Sequence, residues 1–272
     1  MRHYLLTQRK IARRLKADVI LAEAANQLYR DTDYHDLITF EEDIARISAM
    51  VLVVAESAGS LAELGAFASN EITRQSLTII MQEEFADSES FIRFGPVQRI
   101  KKDDDARVGF YPWKTNQKGD LIKGSAKPHV KAIVDFINAG LKRIPATFLY
   151  SSASTIRDYI VVYWVIYLSL AVPLGKLTTF LATILPGETV ATVRRKLYCM
   201  ELAGWIKVKH YSGTDFYYVT CDEDPFKYAF NVGVVEKDTA RRKTDVALSI
   251  RKELSLTKHV REVALQARRG KK

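Results

Sequence analysis

A chain of 272 residues that is 47% hydrophobic and 27% charged can bury one large core or two ordinary ones, which excludes a disordered or fibrous protein. Lysine and arginine outnumber aspartate and glutamate by 41 to 32, and the halves differ: residues 1–140 hold 19 basic and 20 acidic side chains, residues 141–272 hold 22 and 12. A basic second half points to an acidic partner there, nucleic acid first, although an anionic membrane or protein surface is attracted equally on charge alone.

The first half alternates helix-like and strand-like patterns, as a parallel α/β sheet requires. Residues 2–16 place Leu5, Leu6, Ile11 and Leu15 near one face among arginines and lysines, an amphipathic helix. Residues 18–22 (DVILA) read as a short strand, 40–48 (FEEDIARIS) as a helix and 50–55 (MVLVVA) as a strand buried on both faces. A small-residue turn then enters a helix (ESAGSLAELGAFASNEITR), and 77–81 (LTIIM) makes a third strand. Residues 101–127, polar and rich in Lys, Asp and Gly, read as loop or short hairpin, and HVKAIVDFINAGLKRI closes the unit as a helix. A doubly wound domain opens with a central strand, whereas this chain begins inside the first helix. That strand is expected either from elsewhere in the sheet or in a piece the chain lacks.

From about residue 150 the order is helices and then a hairpin. Residues 156–172 form an apolar helix; the uncharged stretch 159–175 has only about 14 continuous apolar residues before Pro173, short of the roughly 20 that span a bilayer, so a core helix and no membrane association are expected. Helices follow at 174–185 and 188–205, the latter amphipathic through Val190, Val193, Leu197, Met200 and Leu202. Two alternating runs around Ser212-Gly213 then give a hairpin. Helix, turn, helix, hairpin is the order of a winged helix-turn-helix. The tail 236–272, with 12 basic and 5 acidic residues, reads as one or two basic amphipathic helices. Cys199 and Cys221 make no disulfide framework, no secretory signal opens the chain, and the histidines are scattered; a cytoplasmic protein without a metal site or bound cofactor is expected.

The chemistry concentrates in Glu56-Ser57-Ala58-Gly59-Ser60-Leu61-Ala62-Glu63, which follows a buried strand where parallel sheets form their ligand crevice. Small residues there let the backbone approach a ligand, and the amides opening the next helix favour an anion. A carboxylate at Glu63 suits attack on an anomeric carbon, since N-glycosidic cleavage passes through an oxocarbenium-like state. The same residues also read as a tight turn with Glu63 answering the helix dipole.

The segment S-x-G-S-x-x-E-L-G at Ser57–Gly65 after a strand, with Phe67 where the pattern has a small Ala, resembles the nucleoside deoxyribosyltransferase-like superfamily of N-glycosidases. AESAGSLAELGAFASNE with SFIRFGPV (90–97) is similar to the effector proteins of retron antiphage systems, which join such a domain to a C-terminal winged helix. The resemblance implies that Glu63 is the catalytic glutamate, the nucleophile or oxocarbenium stabiliser, and that Ser57, Gly59 and Ser60 hold a ribose or its 5′-phosphate. It implies that Asp43 contacts the base, against a plain reading of Asp43 as an exposed helix charge, and that Phe94 and Gly95 line the pocket. It further implies toxic hydrolysis of NAD, restraint by a reverse transcriptase with its small RNA–DNA hybrid, and homo-oligomers built through the enzyme domain.

The expected architecture is α/β: a flavodoxin/Rossmann-like parallel-sheet domain at 1–145 with its first strand missing, a winged helix-turn-helix at 150–235, and a basic helical tail at 236–272. On the winged helix, Thr189, Thr192, Arg194, Arg195 and Lys196 fall on the recognition helix and Lys207, Lys209, His210 and Tyr211 on the wing, where they would meet nucleic-acid phosphates or a protein partner. The basic clusters 241–243 and 268–272 read as solvated charge. Two other functions fit the same sequence: a nucleotide-sensing winged-helix regulator that turns nothing over, and an inactive structural subunit of a reverse-transcriptase ribonucleoprotein.

Overall fold

The computed structural model describes residues 1–7, 13–21, 34–116, 121–151, 154, 156–227 and 238–269. The chain divides into two compact units, one of residues 1–19 and 44–149 and one of residues 20–43 and 150–272.

The first unit contains α1 (Arg2–Thr7) and the end of α2 (Leu37–Ile47), within which the chain passes from one unit to the other. β1 (Val51–Ala55), α3 (Ala58–Ser69), α4 (Glu71–Ser76) and β2 (Leu77–Gln82) follow. After a π-helical turn at Arg93–Val97 come α5 (Gln98–Asp103), β3 (Val108–Tyr111) and α6 (Val130–Arg143). The sheet is parallel, ordered β1-β2-β3, with Val53 opposite Ile79 and Ile80 opposite Gly109.

Every residue of β2 is buried, as a central parallel strand must be when both faces are covered. Alternation divides the apolar runs between two cores. Val53, Ala55, Leu77, Ile79 and Met81 pack with Leu64 and Ala68 of α3 and with Val97 and Ile100. Val54 and Ile80 point the other way, against Leu5 of α1, Trp113, and Ile133, Val134 and Ile137 of α6.

Three expectations need correction here. The helix over 2–16 is helical at Arg2–Thr7 but turns at 13–17, residues 8–12 lying outside the described part. Residues 18–21 are not a strand: they are exposed and pair with nothing among the described residues, so three apolar side chains in a row had no sheet to join, and Ala22 lies outside the described part. The stretch read as loop or hairpin contains β3, with a single antiparallel bridge, Thr115 to Leu121, beyond it.

The second unit runs α7 (Arg157–Ser169), β4 (Val172–Pro173), α8 (Leu174–Ile184), α9 (Val190–Leu202), β5 (Ile206–Tyr211), β6 (Thr214–Val219), α10 (Thr239–Leu254) and α11 (Lys258–Arg269). Its sheet is ordered β4-β6-β5 and antiparallel. Ser212 (φ 51°) and Gly213 (φ 77°) both take positive φ, as a two-residue turn matched to strand twist requires. α7 stops at Ser169 because Leu170 turns to φ 67°, and this frees Val172 and Pro173 to pair with Tyr217 and Phe216. Among the described residues no helix is long and apolar enough to cross a membrane.

The tail is less solvated than its charge suggests. Leu256, Val260 and Ala264 pack with Ala171 and Tyr218, and the rings of His259 and Tyr211 lie 5.0 Å apart. The last carbonyls of α7 run short of helical donors, Tyr167 O having Leu170 N at 3.5 Å, and tail arginines supply more. Arg251 Nε donates to Leu168 O at 2.7 Å, and Arg268 Nη2 donates to Tyr167 O. Arg268, only 8% exposed, also lies 4.6 Å over the Tyr167 ring and pairs with Asp222 at 3.3 Å. Burial lowers its pKa, with Asp222 and Tyr167 opposing. Lys243 bonds Asp224 at 2.7 Å and lies 4.8 Å over the same ring. Reading 241–243 and 268–272 as solvated charge therefore fails at Lys243 and Arg268, while residues 270–272 and the boundary expected at 235 lie outside the described part.

Arg268→Ala leaves the Tyr167 carbonyl without its charged donor and should destabilise the second unit by about 2–3 kcal/mol in urea unfolding. Arg269→Ala, on the exposed side of α11, should stay within about 0.5 kcal/mol. Equal losses from the two would contradict the assigned role.

Candidate functional site

The chain leaves the buried end of β1 at Ala55 and re-enters helix at Ala58, and two serines make that turn. Ser57 is the N-cap of α3: its Oγ accepts from Ser60 N at 3.2 Å, while Ser60 Oγ accepts from Ser57 N at 2.9 Å and from Glu56 N at 3.0 Å. This reciprocal pair is a capping box built from two serines. It leaves the amides of Ala58 and Gly59 without an acceptor among the described residues, at the positive end of a 12-residue helix. Gly59 keeps that end open; a Cβ there would meet nothing nearer than Ser57 Oγ at 3.9 Å.

Glu63 lies four residues beyond Gly59 and three beyond Ser60, on their face of α3, and is half-buried. Helical side chains lean toward the helix N-terminus, which is the side of the capped turn. Leu64 and Ala68, on the neighbouring stripe, fix the helix against the sheet. Glu56, to which the sequence assigned no role of its own, accepts from the Met1 ammonium and, at 3.1 Å, from Arg2 N. Its signal was only its place after β1.

Phe94 and Gly95 fall in the π-helical turn, where Arg93 lies 5.2 Å over the Phe94 ring. Phe94 is 61% exposed, and Gly95 lies under the ring of Phe91, which a Cβ would approach to 3.5 Å. Beside this turn is an apolar cavity of about 190 Å³ lined by Leu61, Met81, Phe85, Ile92, Val97 and Phe110, with Arg93 and two serines at its margin. None of Ser57, Gly59, Ser60, Glu63, Phe94 or Gly95 lines it.

Asp43 belongs by its contacts to the second unit. Its Oδ2 accepts from the buried Tyr34 hydroxyl at 2.8 Å, and the same hydroxyl lies 3.2 Å from Cys199 Sγ. Burial raises the Tyr34 pKa and pushes the Cys199 thiol up to about 12, so both remain protonated at neutral pH. Phe40 and Tyr198 enclose Tyr34 edge-on. Tyr34 was not singled out, because a lone tyrosine in a polar stretch carries no signal of burial.

Several second-unit candidates have structural partners. Thr189 caps α9 in a second capping box with Thr192, whose hydroxyl donates to Glu188 at 2.7 Å. Glu188 also pairs with Lys196 at 2.7 Å, the two side chains only 11% and 14% exposed. Arg195 lies 5.7 Å over the Tyr34 ring. Arg194 is exposed, and so are Lys207, Lys209 and His210 on the edge strand β5, with His210 bonded to Asp215 at 2.7 Å. Tyr211 is half-buried against His259.

Part of the chain matches the retron Ec86 protein of Escherichia coli at 38% identity over 68 residues, 25% of this chain and 22% of that protein. The Escherichia coli retron Ec73 protein matches at 30% over 90 residues, 33% of this chain and 28% of that one. The names of both proteins propose ribosyltransferase and DNA-binding activity, and the matches span less than a third of either relative. The family described as STM3845 retron effector protein matches residues 1–208, and by that match the chain belongs to this family.

Proposed function

We propose that the chain is the toxic effector of a retron antiphage system and that its first unit is an N-glycosidase acting on NAD or a related nucleotide. One observation carries this reading: Glu63 shares a helix face with a capped turn at the carboxyl end of a buried parallel strand. The amides of Ala58 and Gly59 and the helix dipole hold a substrate phosphate, with Ser57 and Ser60 fixing their direction. The Glu63 carboxylate attacks the anomeric carbon, the C1′–N bond breaks, and its electron pair leaves with the base. Water then hydrolyses the ribosyl ester and returns the carboxylate. The turn carrying Phe94 and Gly95 borders the substrate, and no step is assigned to Asp43, which Tyr34 holds in the other unit.

The second unit supports a nucleic-acid-binding reading. Helix, short strand, two helices, and a hairpin whose second strand pairs back on the first is winged-helix order. Lys207 and Lys209 offer exposed charge for phosphates, while Thr189, Thr192 and Lys196 hold the start of α9. Retron membership and the DNA-binding names of the relatives favour a reverse transcriptase with its RNA–DNA hybrid as the restraining partner.

Purified protein incubated with NAD and a nucleotide panel should release free base, and Glu63→Gln should lower the rate at least a hundredfold. Release unchanged by the substitution would remove Glu63 from the mechanism, and no release from either protein would favour a nucleotide sensor. In a salt titration of nucleic-acid binding, the pair Lys207→Ala and Lys209→Ala should reduce the slope of log K against log[salt] by about 1.8. Lys196→Ala should leave the slope unchanged and lower stability by about 3 kcal/mol, because it strands Glu188.

A further inference from the structure

The cavity beside the 83–97 loop is lined by none of the residues proposed for glycosidic cleavage, although Arg93 and Val97 of the turn that carries Phe94 and Gly95 line it. It reaches α3 at Leu61, two residues and so about 200° around the helix from Glu63, on the opposite side. At about 190 Å³ it is below the roughly 300–1,000 Å³ of small-molecule sites and suited to one anchoring side chain. Its margin is open and, besides Arg93 and two serines, aromatic: Phe85 is 38% exposed, and Phe91, between the lining residues Ser90 and Ile92, is 83% exposed. Aromatic rings grouped on a surface around a pocket are what a protein interface uses as an anchor.

Charge selects the occupant. Glu83, Glu84, Asp87 and Glu89 are exposed on the same loop and have no ion-pair partner among the described residues. Four carboxylates within seven residues repel nucleic acid and anionic membranes, although exposed phenylalanines alone would suit either. They attract lysine and arginine. We infer that this loop and cavity dock a basic segment of a partner protein, with one large apolar side chain entering the cavity and flanking lysines or arginines meeting the carboxylates. The contact does not involve Glu63 or the capped turn and holds whether or not the first unit cleaves glycosidic bonds.

Selection of a displayed random peptide library on the full chain tests this. Recovered peptides should share one aromatic or large aliphatic residue flanked by lysines or arginines, and should bind more weakly as salt rises. Phe91→Ser should weaken them tenfold or more, and so should the pair Glu84→Lys and Asp87→Lys. All three positions are exposed, and unchanged thermal melting will show that the variants fold. An empty selection, peptides without basic flanks, or binding indifferent to these substitutions overturns the proposal. Concentration-dependent self-association abolished by Phe91→Ser would assign the face to a second copy of the chain and overturn it equally.

Discussion

Ser57 and Ser60 bond each other's backbone where the chain leaves β1, and the position of Glu63 follows from that pair of bonds. A parallel strand buried on both faces must end without leaving its last polar groups unsatisfied, and a capping box does this within two residues. Because α3 begins at once, its second turn lies beside the strand end. Leu64 and Ala68 then lock the helix rotation against Val53, Ala55, Ile79 and Met81, so the face carrying Gly59, Ser60 and Glu63 is set by packing. The turn that organises the candidate chemistry is thus also an ordinary solution to a helix-end problem, and the short turn and the anion-binding reading describe one geometry.

The second unit meets a similar demand at the other end of a helix. The last carbonyls of α7 receive Arg251 and Arg268 from two tail helices, and the Tyr167 ring collects Lys243 and Arg268 on its π-face. Part of the basic excess of the second half is therefore structural. What remains exposed includes Lys207 and Lys209 on β5 and Lys252, Arg261 and Arg269 on the tail helices, and it is smaller than the sequence total suggests.

β1 and β2 were legible in the sequence because burial on both faces writes a continuous apolar run, and the hairpin because Ser212-Gly213 interrupts two alternating runs. β3 was not: four residues, one of them Gly109, stand among charged neighbours, and that glycine leaves room for two rings, since a Cβ would meet Tyr111 of the same strand at 2.8 Å and Phe136 of α6 at 3.3 Å. Residues 18–21 show the reverse, apolar character with no partner strand to make it count. β4 is two residues long and exists because Leu170 ends α7 early. At the candidate site the positions of Ser57, Ser60 and Glu63 could be read from their spacing. The burial of Tyr34 and the depth of Arg268 could not, since each depends on atoms far away in the chain.

The central claim is that Glu63 bonds covalently to a ribosyl carbon. Mass spectrometry of the protein after incubation with a 2′-fluoro analogue of NAD, which slows hydrolysis of a glycosyl ester, tests this most directly. A ribosyl adduct should form on the peptide containing residues 58–69, at Glu63, and Glu63→Gln should abolish it. Base release with no adduct at Glu63, or with the adduct on another residue, would contradict the claim.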